Sequence, residues 1–266
     1  MLERERFVTL RRARRVWAVA AVHGDAERLE RLHDEIAARF APGDRLVYLG
    51  NHLGYGADVC GTVDALLAFR RRVLARPGAG ACDVVFLRGA QEEMWSKLLQ
   101  IHLALNPPEI LEWMLGRGVG ATLAAYGVSP QRGLARARAG AVELARWTGE
   151  LRARIQARPG HLALMSALRR AAFTDDGALL FVHAGVDASR PLAAQGDALW
   201  WGGGGFDAID HPFGGFRRVV RGFDRGHDGF RVGPFTATID GGCGFGGPLC
   251  AACFDDRARL IDRIDA

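Results

Sequence analysis

The side chains best suited to chemistry sit singly at glycine corners. His23 precedes Gly24, Asn51 and His52 follow Gly50, and His183 stands two residues before Gly185. Imidazoles and amides in such turns can exchange hydrogen bonds, and a neutral imidazole can also hold a metal. No Ser-His-Asp or Cys-His set stands out, and Cys243 alone is a weak nucleophile candidate. Cys250 and Cys253 have the spacing of a metal or redox pair, but Pro248–Phe254 reads as a buried strand. Residues i and i+3 of a strand face opposite sides, so both thiols are expected to be small core residues. The run Gly202–Gly205 is not followed by the Lys and Ser or Thr of a phosphate loop, and a flexible loop is expected there. His52, His211 and His227 are expected to be loop or surface histidines rather than partners of His23 in a new metal site.

These corners need elements to position them. Short apolar runs end at them: Val16–Val22, 45–49, 83–87 and 178–182. Continuous apolar runs of this length suit strands covered on both faces. Helical spacing separates them, as in Leu29, Leu32, Ile36 and Phe40. Alternation of this kind predicts an α/β sandwich, with functional groups gathered beyond the carboxyl ends of the strands. Residues from about 92 to 172 read as a helical insert over one edge of the sheet, and 217–220, 232–239 and 249–254 as further strands.

With 266 residues, 49% of them hydrophobic, the chain can bury a core as one domain, which excludes disordered, collagen-like and disulfide-scaffold classes. The net charge of +5 is uneven. Residues 1–15 carry six arginines against two glutamates, and the remainder has 29 basic and 28 acidic side chains. The expected organisation is a basic N-terminal arm over 1–15 and one domain over 16–266. Only Phe7 and Trp17 lie near those arginines to stack on bases, so nucleic acid is not the expected partner. Five scattered cysteines argue for a reducing compartment, the cytoplasm. The seven-residue apolar run at Val16–Val22 is too short to span a bilayer and runs straight into a turn and a helix, so neither membrane nor signal peptide is expected.

Five ordered segments together resemble the calcineurin-like metallophosphoesterases, in particular the bacterial Ser/Thr protein phosphatase type. They are Val22-His23-Gly24, 44–50 ending at Gly50, 85–89 with Glu92-Glu93, 181–185 with His183-Ala184-Gly185, and Ile239-Asp240-Gly241 with Gly246-Gly247-Pro248-Leu249. The resemblance covers roughly residues 16–255. It implies two mixed sheets flanked by helices, and metal-assisted phosphoester hydrolysis in which two ions clamp the phosphate and activate water.

The motifs that would hold those ions are altered. The resemblance places carboxylate, imidazole or amide ligands at seven positions, of which only His23 and His183 keep the expected ligand type. Ala21 replaces an aspartate, Asn51 the bridging aspartate, Ala90 an asparagine, and Arg221 and Phe223 two histidines. Gly54 and Tyr55 replace a second aspartate and the phosphate-binding arginine. Gln91 stands where the family has its proton-donating histidine, and an amide has no titratable proton to give. Two neutral imidazoles and an amide cannot neutralise two close dications.

The sequence therefore predicts a pseudophosphatase, a binding or regulatory protein for a phosphorylated or anionic ligand or a protein partner. Arg221, His23, His183 and Asn51 are the expected ligand-binding residues, Arg221 through its planar donor fork. No cofactor is expected. The competing reading is an atypical active phosphatase holding a single Mn, Fe or Zn on His23, His183 and either Asn51 or Asp25.

Overall fold

A computed structural model describes residues 6–203 and 205–266. The first five residues and Gly204, inside the glycine run, lie outside the described residues. The strands are β1 (Phe7–Leu10), β2 (Arg15–Val19), β3 (Asp44–Tyr48), β4 (Val84–Phe86), β5 (Ala171–Thr174), β6 (Leu179–Val182), β7 (Arg218–Arg221), β8 (Arg231–Val232), β9 (Thr236–Thr238), β10 (Cys250–Asp255) and β11 (Leu260–Asp265). One sheet has the order β11-β10-β2-β3-β4, the other β1-β5-β6-β7-β9-β8. Both are mixed: β2, β3 and β4 run parallel with β10 antiparallel to β2, and β6, β7 and β9 run parallel with β5 antiparallel to β6.

The strands face two ways, as their continuous apolar character requires. Ala18, Val47 and Phe254 of the first sheet meet Phe181, Val220 and Ala237 of the second in a core between the sheets. The alternate residues of the first sheet, among them Trp17, Leu46 and Cys253, pack under helices. Cys250 belongs to the inter-sheet core and Cys253 to the helical side, so the two thiols face opposite ways on β10. Burial pushes the Cys253 thiol up to about 12.

Helices α1 (Ala26–Arg39) and α2 (Val59–Leu74) cover that outer face. Each is started by an aspartate whose carboxylate accepts from a first-turn amide: Asp25 from Arg28 and Asp58 from Gly61. Helices α3 (Ala90–Leu98), α4 (Pro107–Met114), α5 (Gly120–Ala125), α6 (Pro130–Ala139), α7 (Ala141–Gln156) and α8 (His161–Ala167) lie between β4 and β5. They bury Leu111, Leu144, Trp147 and Leu151 against the same core. A short helix, α9 (Ala198–Trp201), packs on the outer face of the second sheet.

Part of the stretch read as a terminal arm is built into the sheet. Residues 7–10 pair in parallel with 171–174, and Leu10 is fully buried. Arg15 donates from Nε to the buried Asp44 carboxylate at 2.9 Å. The reason is local: Phe7, Val8 and Leu10 supply apolar faces between the arginines, and the parallel edge of β5 supplies the ladder.

His33 of α1 is buried, stacked on Phe69 with ring centroids 4.1 Å apart, and 2.7 Å from the Tyr48 hydroxyl. Burial, then the nearby Arg72, lowers its pKa to about 3. In the unfolded chain it takes up a proton below about 6.5. Stability from this group is therefore full above pH 6.5 and is lost as pH falls from there toward 3, by about 1.4 kcal/mol per unit. Urea unfolding at pH 7, 6 and 5 should show a shallower acid loss for His33→Gln than for the native chain. Parallel slopes would contradict the assignment.

Candidate functional site

The site lies where the ends of β2, β3, β4, β6 and β7 converge. His23 is in the turn between β2 and α1, Asn51 follows β3, Gln91 opens α3, His183 follows β6, and Phe223 follows β7. The corners touch through backbone: Gly50 has φ +90°, and a Cβ there would lie 2.7 Å from the Gly89 nitrogen and 2.9 Å from His183 Nδ1. Glu92, 2% exposed, ties them together. Its carboxylate accepts from the backbone N–H groups of Gly89, Asn51 and Leu53 at 2.8, 2.9 and 3.0 Å.

His23, Asn51 and His183 are all buried. Asn51 Oδ1 accepts from the Gln91 backbone N–H at 2.9 Å, which points Nδ2 toward His23 Nε2, 3.4 Å away. The Nε2 lone pair of His23 is thereby taken by the amide, and its proton sits on Nδ1. His183 Nδ1 donates to the Leu49 carbonyl at 2.7 Å, leaving an unpartnered lone pair on Nε2. Burial, reinforced by His183 and His227, lowers the His23 pKa to about 3, and burial lowers that of His183 to about 4. Both imidazoles are neutral at physiological pH.

Phe223 occupies the space beside them. Its ring stacks on His183 at 5.2 Å with an interplanar angle of 9°, and stands edge-on to His23 at 5.7 Å. Tyr55 and Phe245 approach His23 from other sides at 5.3 and 5.2 Å. These residues do not fit a pair of divalent ions. The Asn51 amide and the His23 lone pair are engaged with each other, no anionic oxygen is placed to bridge, and an apolar ring covers the remaining imidazole. Among the described residues no group of three or more His, Cys, Asp or Glu is arranged to hold a metal ion.

Arg221 is not brought to these groups. It is 4% exposed; Nε donates to Thr238 Oγ1 at 2.8 Å, and the guanidinium lies 3.2 Å from Asp207 and 3.3 Å from Asp224 and over the Phe206 ring. Asp25 is paired with Arg28. The other histidines differ from one another. His52 is fully buried and donates from Nε2 to the Leu87 carbonyl, whereas His211 is exposed beside Asp210. Cys243 is buried, donates to the Val22 carbonyl, and has its pKa pushed up to about 12 by burial, which leaves no thiolate for nucleophilic attack.

What the motifs do not reveal is a cavity of about 430 Å³ over this centre. It is lined by His23, Asn51 and Gln91 from the corners and by Tyr55, Phe245 and His227. Phe223, Arg117, Trp201 and Arg225 are among its other lining residues. Arg117 comes from the kink between α4 and α5, which is fastened to the site: Gln91 Nε2 donates to the Arg117 carbonyl at 2.7 Å and Gly54 N–H to Thr122 Oγ1 at 3.1 Å. His227 is held through Nδ1 by the buried Asp240 carboxylate at 3.0 Å. Six non-glycine residues among those described have a left-handed backbone, and four of them, His23, Asn51, Tyr55 and His227, line this cavity. Strain of that kind gathers at functional sites.

This two-sheet architecture, with the corners meeting at the strand ends, is the fold of the calcineurin-like metallophosphoesterases. Similar solved structures include a protein assigned as a diadenosine tetraphosphatase (19% identity, 98% of each chain covered, TM-score 0.57). They also include a protein serine/threonine phosphatase from Saccharomyces cerevisiae with similarity to human phosphatase PP5 (13% identity, 98% of this chain and 84% of that one, TM-score 0.53). A third is a cold-active protein tyrosine phosphatase (13% identity, 100% and 82%, TM-score 0.58). At these identities the likeness establishes the fold. No protein-family model and no curated protein matches the sequence. Among the described residues no helix is long and apolar enough to cross a membrane.

Proposed function

We propose that this chain is a pseudophosphatase: a metallophosphoesterase-like protein that binds an anionic or phosphorylated ligand, or a protein partner, without the metal-assisted hydrolysis of its fold. The observation that carries the reading is Phe223, whose ring covers His183 and abuts His23 where a ligand imidazole would be needed. The chemistry of the neighbours supports it. Asn51 is neutral and committed to Gln91 and His23, and Gln91 cannot protonate a leaving group. Arg221 is held by Asp207, Asp224 and Thr238 outside the cavity, so the ligand-binding role falls to the groups that line it.

Turnover of p-nitrophenyl phosphate with Mn, Fe or Zn added tests the reading. The expected rate is that of the buffer with the same metal. A turnover well above it that His183→Ala abolishes would overturn the proposal and establish the reduced-metal phosphatase in its place.

A further inference from the structure

We infer that the cavity takes a phosphate monoester that also bears a flat aromatic group and binds it with no metal, through Arg117 and Arg225 and an aromatic rim. The inference rests on the pseudophosphatase reading and names its ligand class. Two observations carry it.

The first is charge. Arg117 and Arg225 line the cavity, and no carboxylate does so among the described residues. Nearby arginines are matched to acids: Arg221 to Asp207 and Asp224, Arg231 to Asp224, Arg28 to Asp25. Arg225 is exposed and has no hydrogen bond or ion pair with any described residue. The Arg117 guanidinium makes a single 3.4 Å hydrogen bond, to the Trp113 carbonyl, and lies 4.2 Å above that residue's ring. Two guanidiniums with free donors over a carboxylate-free wall select an anion, and their planar forks suit phosphate oxygens.

The second is the rim. Tyr55 and Phe245, ring centroids 4.6 Å apart, are 39% and 44% exposed, and Trp201 lines the cavity with Trp113 packed against it at 5.9 Å. Large aromatic rings left open beside a cavity offer faces on which another ring can stack.

Tyrosine phosphate carries its phosphate on the ring and a nucleotide joins phosphate and base through ribose; both combine a phosphate monoester with a flat ring, and separate titrations distinguish them. Phenyl phosphate, adenosine monophosphate, O-phosphotyrosine and inorganic phosphate would each be titrated calorimetrically into the full chain in EDTA. Phenyl phosphate should bind at least tenfold more tightly than inorganic phosphate, and the tighter of the two larger esters identifies the source. Arg225→Gln and Arg117→Gln should each weaken binding about tenfold, and Phe245→Leu several-fold, with unchanged circular dichroism. Equal affinity for phenyl and inorganic phosphate, unchanged affinity in the double arginine variant, or binding only after Mn is added would overturn the inference. No binding together with no turnover sinks the inference and leaves the pseudophosphatase reading standing, whereas Mn-dependent phosphate release sinks that reading itself.

Discussion

Glu92→Ala should destabilise the chain by about 3–5 kcal/mol, because it leaves three buried backbone N–H groups without an acceptor. The carboxylate reaches Gly89, Asn51 and Leu53, so a single side chain fixes both the loop after β3 and the entrance to α3. Glu92→Gln keeps the shape but turns an NH2 toward backbone donors, and should lose roughly half as much. Chemical unfolding reads both. Losses below about 1 kcal/mol for the alanine variant would mean that the loop finds other partners. The cavity should be lost with the loop, since Asn51 and Gln91 are both held in that junction.

Gly50→Ala is the second large effect. The backbone at Gly50 is left-handed, where alanine costs about 1 kcal/mol, and the new methyl would meet the Gly89 backbone and the His183 ring. Neither neighbour is a flexible side-chain end. The crossing of the two corners must open by tenths of an ångström, and a total loss of about 3 kcal/mol or more is expected. Urea unfolding checks it, and a loss confined to about 1 kcal/mol would show that the corner yields easily. The His183–Leu49 hydrogen bond should weaken in the same variant, visible as a shift of the imidazole resonances.

The central strands were legible because burial on both faces forces uninterrupted apolar runs: β2, β3, β4, β6 and β10 all carry that pattern. The edges were not. β1 is four residues bounded by arginines, and β11 reads Leu-Ile-Asp-Arg-Ile-Asp with mostly exposed or half-buried positions. Such strands are specified by a neighbour's open ladder more than by their own residues. At the site, the corners and their altered ligand types followed from motif order, but side-chain direction did not. Arg221 sits at the expected strand end, yet Thr238 on the adjacent strand and Asp207 from a distant loop turn its guanidinium away. Arg117 and Arg225 carried no signal among so many arginines. Only the kink after α4 and the turn after Phe223 bring them to one cavity.

The ladder order has a consequence for how the chain is made. β1 is synthesised before the other described strands, but Phe7 pairs with Ala171, so its partner emerges more than 160 residues later. At roughly 5–20 residues per second, Phe7–Leu10 waits on the order of ten seconds on the ribosome before its ladder can form. β2 is also left half-finished, because β10 closes its second edge only when residues 251–255 appear. A chain ending before Cys250 would therefore present Val16–Val19 as a bare apolar edge, open to pairing with other chains.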